Sequence, residues 1–595
     1  MCWYPVAIRD SEIGRGDYLT IELERTTNQD IIHQFRSGMI AALFSNHAPK
    51  HDRIEGTIAH ISGNRLKLSL RVDELPDWTR NGKLGVDIVF DENSYTEMEN
   101  ALRMAQAGSE KKEGRLIRVL TGELNPEFNK QPTYDFYYSL NETQQTAVYR
   151  ILDASDLAIV HGPPGTGKTT TLVEAIRALV KRDGEQVLVV APSNAAVDLL
   201  SEKLYSAGLN VVRVGNPAKV SEGQMSLTLD NKISVHPGMK EIRRLKKRAS
   251  EYKDLAHKYK RSFGRDEREQ RKALFAEARK IAAEVEHTEQ YIIDDVLSRA
   301  QVITATLVGA NHYTVRQRRY ETVVIDEAGQ ALEAACWIPI LKSKKVVMAG
   351  DHCQLPPTIK SQEAAKQGLA TTLMEKLVGL FPDAVVLLQT QYRMNKLIMQ
   401  FSSQEFYNSK LVADPTVANQ ILFIGDEPLL FIDTAGSGYE EKLEGKSISN
   451  PEEAEFLVRH LSGTLAAYRE ENPDGDLPSI GVISPYRHQV TLLKELILQS
   501  TLLAGFLQAI NINTIDSFQG QERDVIYISL ARSNPDNTIG FLSEIRRMNV
   551  AMTRARKKLV VIGDSATIAQ FPFYEDFISY VENNGSYKTV WDFME

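Results

Sequence analysis

His161-Gly162-Pro163-Pro164-Gly165-Thr166-Gly167-Lys168-Thr169-Thr170 stands between an apolar run, LAIV (157–160), and a helical pattern, TTTLVEAIRALVKRDG (169–184). Strand, glycine-rich turn and helix form the context in which G-x-x-x-x-G-K-[ST] binds phosphate. Gly162, Gly165 and Gly167, with Pro163, Pro164 and Thr166 between them, let successive backbone N–H groups turn inward on phosphate oxygens. The following helix N-terminus favours an anion, and Thr170 lies in its first turn. Lys168 is expected to reach the β and γ phosphates of a bound nucleotide, and the Thr169 hydroxyl to ligate Mg²⁺. An ordinary glycine-rich turn has no use for a lysine and a threonine at these places.

Outward from this loop, short apolar strands alternate with longer helical patterns. VLVVAPS (187–193) precedes NAAVDLLSEKLYSAG (194–208), and VVRVG (211–215) follows. After a helix-rich interruption the pattern resumes with QVITAT (301–306), TVVIDEA (322–328), KVVMAGD (345–351) and AVVLLQ (384–389). A second set comprises PLLFIDT (428–434), SIGVISPYR (479–487), ININTIDSF (510–518), DVIYISLARS (524–533) and KLVVIGD (558–564). This is the signature of two α/β domains in tandem, each a parallel sheet covered by helices. AGSGYEEKLEGKSISN (435–450) reads as a polar, flexible loop in the second set. The first 90 residues are different: GDYLTIELER (16–25), RIEGTIAHI (53–61), NRLKLSL (64–70) and GVDIVF (85–90) alternate apolar and polar residues, as strands of a small barrel or sandwich do. Ser94-x-x-Glu97 reads as a capping box opening a helix with Met98, Leu102 and Ala105 on one face, ending near Gly108.

Length and composition set bounds. The 595 residues suffice for several cores. Apolar content is 43% and charged content 25%, ordinary for a globular chain. No run of 18 apolar residues predicts a membrane span, and MCWYPVAIRD does not read as a secretory signal. The three cysteines, Cys2, Cys336 and Cys353, form no CxxC pair, so a zinc cluster is not expected and a reducing, cytoplasmic setting fits. The net charge of −8 argues weakly against wholesale nucleic-acid coating but leaves room for a local basic channel. Residues 240–290 are such a stretch, with 16 Lys/Arg against 10 Asp/Glu in a helical pattern. They read either as a solvated helical hairpin or as an insertion that helps hold a phosphate backbone.

The strand in TVVIDEAGQ (322–330) delivers Asp326 and Glu327 to the carboxyl end of the first sheet, where ligands bind in such folds. Asp326 is suited to holding Mg²⁺ through water, and Glu327 to orienting and deprotonating an attacking water. Two adjacent acids there could also cap the alanine-rich helix that follows. Hydrolysis of a γ-phosphate calls for added positive charge, which an arginine from a second domain supplies. Arg393 and Arg554 qualify, with surface ion pairs as the alternative reading for both.

Eleven segments in one order resemble the superfamily 1 helicases, specifically the 5′-to-3′ branch (1B) and the group of the up-frameshift and immunoglobulin mu-binding protein 2 helicases. They are LNETQ (140–144), GPPGTGKT (162–169), APSNAAVD (191–198), VVRVGNPA (211–218), VVIDEAGQALEAACW (323–337), GDHCQLPPT (350–358), QYRM (391–394), FIDTAGSG (431–438), SPYRHQ (484–489), DSFQGQE (516–522) and RRMNVAMTRAR (546–556). The resemblance implies two tandem RecA-like domains and an ATP- and Mg²⁺-dependent helicase or translocase on single-stranded RNA or DNA. An ATP-gated clamp with little unwinding is the alternative. It implies that Gln144 reads the adenine edge, Tyr392 stacks on the base, Gln354 senses the γ-phosphate, Arg393 and Arg554 are paired arginine fingers, and Glu522 touches the ribose region. Catalysis would then rest on Lys168, Asp326, Glu327, Gln354, Arg393 and Arg554. Strand contacts would fall to Ser193, Asn194, Arg213, Thr304, Ser484, Pro485, Tyr486 and Thr514, small polar groups that position a backbone without reading sequence. The domains expected are a barrel-like unit over 1–91, a stalk helix over 92–110, a first RecA-like domain over 111–224 and 291–385 with a helical insertion over 225–290, and a second RecA-like domain over 386–595. A long stalk helix usually precedes the family's barrel, whereas this sequence starts directly in the β-rich part. A monomer is expected, without the family's zinc module and without a membrane partner.

Overall fold

The computed structural model describes residues 2–593 other than 14–18, 28, 30–34, 37, 50, 71, 73–74, 90–91, 110–113, 130–136, 138, 217–219, 258–264, 360 and 446. The boundary expected at 110/111, between the stalk helix and the first RecA-like domain, and part of the basic insertion thus lie outside the described residues.

Six antiparallel strands close a barrel: β1 (Cys2–Ile13), β2 (Leu19–Arg25), β3 (Ile40–Ser45), β4 (Arg53–Ser62), β5 (Arg65–Leu70) and β6 (Leu84–Ile88), in the order β1-β2-β5-β4-β3-β6. Inward residues such as Ile21, Leu23, Leu43, Ile58, Leu68 and Val86 fill it, and closure leaves no sheet edge to protect. The sequence pattern did not reveal β1 and β3. Helix α1 (Glu92–Ser109) begins two residues before Ser94, so Ser94 is not its N-cap. Glu97 instead accepts a hydrogen bond from Asn311 Nδ2 (2.6 Å). Ala101 and Ala105 are buried while Leu102 is 43% exposed. Half-buried Met98 and buried Ala101 and Ala105 form the packed stripe, and Leu102 falls at its outer edge, about 100° round the helix from Ala101.

The first parallel sheet contains β7 (Leu157–His161), β8 (Val187–Ala191), β9 (Val211–Arg213), β10 (Val302–Thr306), β11 (Tyr320–Ile325), β12 (Ser343–Gly350) and β13 (Val385–Leu387), ordered β13-β7-β12-β11-β8-β10-β9. Its strands are near-continuous apolar runs because both faces are covered, by one core cluster around Leu188, Ile303 and Met348 and another around Val160, Ile176 and Val324. Covering helices include α2 (Arg115–Leu120), α3 (Glu142–Asp153), α4 (Lys168–Asp183) and α5 (Asn194–Ser206). After β9, α6 (Leu229–Ser234), α7 (Met239–His257) and α8 (Arg265–Arg299) form the helical insertion. Ile242, Leu245 and Ala249 of α7 pack on Ile281, Val285 and Ile292 of α8. Helix α8 continues past 290, because Ile293 and Leu297 anchor its last turns in the first-sheet core. At 35 residues it is about 50 Å long.

A short pair, β14 (Thr390–Gln391) with β15 (Val412–Ala413), follows. The second parallel sheet contains β16 (Leu429–Asp433), β19 (Ile480–Ile483), β20 (Ile510–Asn513), β21 (Arg523–Ser529), β22 (Ala555–Gly563) and β23 (Ser586–Thr589), ordered β20-β19-β21-β22-β16-β23. Within 435–450, expected as a loop, β17 (Lys442–Glu444) and β18 (Ser447–Ser449) form a hairpin around Gly445 at φ +64°. Ile448 fixes it by packing on Tyr486 and Ala531. Every described strand of the first sheet lies at or before Leu387 and every strand of the second at or after Leu429, so the chain passes between the sheets once. Among the described residues no single helix is long and apolar enough to cross a membrane.

Candidate active site

The loop from Gly162 to Gly167 leaves β7 at its carboxyl end and enters α4. Gly165 and Gly167 both have φ of +77°. A side chain at either would also collide, with Arg393 Cβ at 2.7 Å and with Gln144 Nε2 at 2.5 Å respectively, so only glycine serves. Thr166 Oγ1 donates to the Pro163 carbonyl (2.7 Å) and braces the turn. Lys168 Nζ lies 2.6 Å from Glu327 Oε1 and 3.2 Å from Asp326 Oδ1. Burial alone would push the lysine pKa down, but the two carboxylates hold it well above its ordinary value. Glu327 is a non-glycine residue at φ +53°, a conformation that costs of order 1–3 kcal/mol. Its N–H donates to Asp326 Oδ1 (2.9 Å) and Gln330 Nε2 donates to its Oε2 (2.9 Å), which pins it there. Thr169 is half-buried and Thr170 exposed in the first turn of α4. A hydroxyl and a buried carboxylate beside the glycine loop are hard oxygen donors of the kind Mg²⁺ takes.

Gln144 belongs to a capping box that starts α3: Asn141 Oδ1 accepts from the Gln144 N–H, and Gln144 Oε1 accepts from the Asn141 N–H (3.0 Å). Gln144 Nε2 donates to the Thr166 carbonyl (3.0 Å), tying α3 to the phosphate loop. Tyr392, 42% exposed, takes a hydrogen bond from Asn141 at its hydroxyl (2.9 Å), and its N–H donates to the Gly165 carbonyl (2.8 Å). Arg393 donates to Glu522 Oε2 (2.7 Å) and the Thr553 carbonyl (3.2 Å). Arg554 is 2% exposed; it donates to the Val550 and Gln521 carbonyls and to Gln354 Oε1 (3.3 Å). Among the described residues no carboxylate lies within hydrogen-bonding distance of it. Burial first, and then the nearby Arg393 charge, push its pKa down to about 9.

A hub absent from the expected site residues joins the two halves. Asp351, 3% exposed, accepts from Gln354 Nε2 (2.7 Å) and the Tyr407 hydroxyl (2.7 Å) and pairs with His161 Nε2 (2.9 Å). Asn549 Nδ2 in turn donates to the Tyr407 hydroxyl (3.0 Å) and the Cys353 carbonyl (2.9 Å). Burial would raise the Asp351 pKa, but His161, Gln354 and Tyr407 hold it at about 2. The residue ends its strand as Asp326 does, so the same carboxyl-end argument would have found it.

The expected strand contacts form two groups at the carboxyl ends of the sheets. On the first, Ser193 is exposed and caps α5 through its Oγ, and Asn194 lines a cavity of about 370 Å³ with Pro192, Thr306 and Gln330. Arg213, 1% exposed, donates to Asp198 Oδ1 (3.1 Å) and Asn194 Oδ1 (2.7 Å). Thr304 is fully buried against Ser201 Oγ (2.7 Å). Both lie beneath the surface, Arg213 against Asn194. On the second sheet Ser484 is buried, while Pro485, Tyr486 and Thr514 line a cavity of about 510 Å³. Arg487, His488, Phe541 and Arg547 line it too and were not among the expected contacts. Arg487, His488 and Arg547 lie inside the quoted segments SPYRHQ and RRMNVAMTRAR, which signalled them, whereas Phe541 lies in none.

Residues 139–362 and 369–566 each match a family model described as an AAA domain. The chain is 34% identical over 520 residues to DNA-binding protein SMUBP-2 of Mesocricetus auratus, covering 84% of this chain and 51% of that protein. It is 32% identical over 589 residues to an uncharacterised ATP-dependent helicase of Methanocaldococcus jannaschii (91% and 85% covered). It is 35% identical over 513 residues to the DNA polymerase alpha-associated DNA helicase A of Saccharomyces cerevisiae (79% and 72% covered). The chain spans about half the length of the SMUBP-2 relatives it matches.

Proposed function

Because the chain belongs to the superfamily 1B, Upf1-like helicases, we propose that it is an ATP-driven motor that moves 5′-to-3′ along single-stranded RNA or DNA. The observation that carries this reading is Arg554: a buried guanidinium with no carboxylate in hydrogen-bonding distance among the described residues, hydrogen-bonded to Gln354 across the two domains. A cation left uncompensated there suits an anion that arrives, and a γ-phosphate is such an anion.

The glycine loop cradles phosphate oxygens with its N–H groups, and the Lys168 ammonium turns from Glu327 and Asp326 to the β and γ phosphates. That move frees Glu327, already pinned by Gln330, to orient and deprotonate water. Thr169 and, through water, Asp326 would hold Mg²⁺, which supplies charge neutralisation at the phosphates. Arg393 and Arg554, from the second domain, stabilise charge on the transferred group, and Gln354 links Arg554 to Asp351. The nucleotide favours the closed cleft through its higher affinity for that state, and hydrolysis removes the preference. Strand contacts on the two sheets then alternate between nearer and farther spacing. Binding is sequence-tolerant and salt-sensitive.

The test is steady-state ATP hydrolysis with and without single-stranded RNA and DNA, alongside duplexes carrying a 5′ or a 3′ overhang. Stimulation of about tenfold or more, and displacement from the 5′ overhang only, are expected. Turnover indifferent to both polymers would overturn the motor reading.

A further inference from the structure

Behind the phosphate loop lies a cluster of metal-ligating side chains that the hydrolysis scheme uses only in part. His161 ends β7 directly before Gly162, and Asp351, His352 and Cys353 turn away from the end of β12. One ligating atom from each of the four lies within 4.8 Å of every other. His161 Nε2 is 2.9 Å from Asp351 Oδ1, and the two imidazole rings are 4.5 Å apart between centroids. Among the described residues the buried Nδ1 of His352 has no hydrogen-bond partner. Cys353 Sγ donates only a weak bond, to the Phe406 carbonyl (3.4 Å). His161 and Asp351 are buried and the other two half-buried, so the cluster is partly withdrawn from water yet reachable.

We propose that His161, Asp351, His352 and Cys353 form a binding site for a zinc-class divalent cation, and that its occupancy slows turnover. Two imidazoles, a thiolate and a carboxylate are the donor types that zinc takes in four-coordinate sites. The soft and borderline donors select against Mg²⁺ and Ca²⁺, which require oxygen shells. The unpartnered His352 nitrogen is the lone pair left over for such an ion. Binding requires Cys353 to lose its proton to solvent as sulfur meets the metal. It also requires the donors to draw in from a spread of up to 4.8 Å to the roughly 3.5 Å separations that metal bonds of about 2.0–2.3 Å impose. Ligation takes Asp351 Oδ1 from His161 and Cys353 Sγ from Phe406, in the segment that also carries Gln354. The sensor side chain facing Arg554 is thereby displaced. The binding rests on the four side chains alone, whereas the effect on turnover rests on the ATPase reading.

The experiment is a Co²⁺ titration of the chelator-washed full chain in excess Mg²⁺, read by absorption. One equivalent is expected to bind with tetrahedral d–d bands and a thiolate-to-cobalt charge-transfer band, and Zn²⁺ is expected to displace it. Cys353→Ser should remove the charge-transfer band, and His352→Gln should weaken binding by about tenfold. The exposed Cys2 is the rival thiolate. A band that survives in Cys353→Ser, or no band in the unaltered chain, overturns the site. In hydrolysis assays Zn²⁺ should inhibit the unaltered chain at about tenfold lower concentration than Cys353→Ser, which keeps its zinc-free rate. Equal inhibition overturns the regulatory role. A chain that gives the cobalt bands but hydrolyses no ATP overturns the motor reading and leaves the site standing.

Discussion

Lys168 rests between Asp326 and Glu327, so its charge is fully compensated until phosphate competes for the lysine. Replacing Lys168 with Ala or Glu327 with Gln should lower turnover by about 100-fold or more and leave strand affinity within about twofold, because neither residue lines the strand cavities. Turnover retained in purified Glu327→Gln would remove it from the role of base. Asp351 makes a second prediction. Its folded pKa of about 2 lies below its ordinary 3.8, so the carboxylate stabilises the fold above about pH 4, and that share is lost as pH falls toward 2. A difference of this size is about 2 kcal/mol. Asp351→Asn should lose it at neutral pH and show a flatter melting profile between pH 5 and pH 3. Lys168, Asp326 and Glu327 were legible in the sequence because each sits in a short local pattern at a strand end. The partners of Asp351 were not, because Tyr407 is 56 residues away and Asn549 lies in the far domain.

At the level of elements, the parallel strands were legible because burial on both faces makes them unbroken apolar runs. Strand β1 was missed because CWYPVAIRDSEI mixes polar and apolar residues and takes its meaning from pairing with β2 and β6. The basic helices were seen, and their two readings can be separated. Arg243 and Lys247 are exposed on α7. Reversing both charges should weaken strand binding and reduce the slope of log affinity against log salt by about 1–2; an unchanged slope would make the hairpin a solvated face. The helix Pro451–Glu471 hides a different device. Glu453 is fully buried and accepts from the Ser529 hydroxyl and the Ala531 N–H, while its Oε2 has no partner among the described residues. Burial pushes its pKa up to about 7. The protonated form is favoured in the fold, so this contribution is full below about pH 4.5 and is lost as pH rises through 7. The melting temperature should fall between pH 5 and pH 8, and Glu453→Gln should abolish much of that fall.

For the whole molecule, the two parallel domains meet through Arg393, Arg554, Gln354 and the Asp351–Tyr407 bond. Arg554→Ala should lower kcat by about 1,000-fold with nucleotide affinity changed far less, measured by single-turnover hydrolysis and equilibrium binding. Equal losses in both would make Arg554 a binding group rather than a transition-state one. How the domains face each other was the least legible part, since no periodicity encodes a contact between distant surfaces. The single passage of the chain between the sheets runs through 388–395, and Tyr392 and Arg393 ride on it while Tyr392 grips the Gly165 carbonyl. On the proposed reading the nucleotide pocket lies close to the fulcrum of a nutcracker, deep between its jaws. A slight swing there moves distant points in proportion to their distance from the pivot. On the proposed motor reading, the stride along a strand scales with how far Asn194 and Thr514 stand from residues 388–395, so lengthening the arm, not altering the phosphate pocket, is the way to change it.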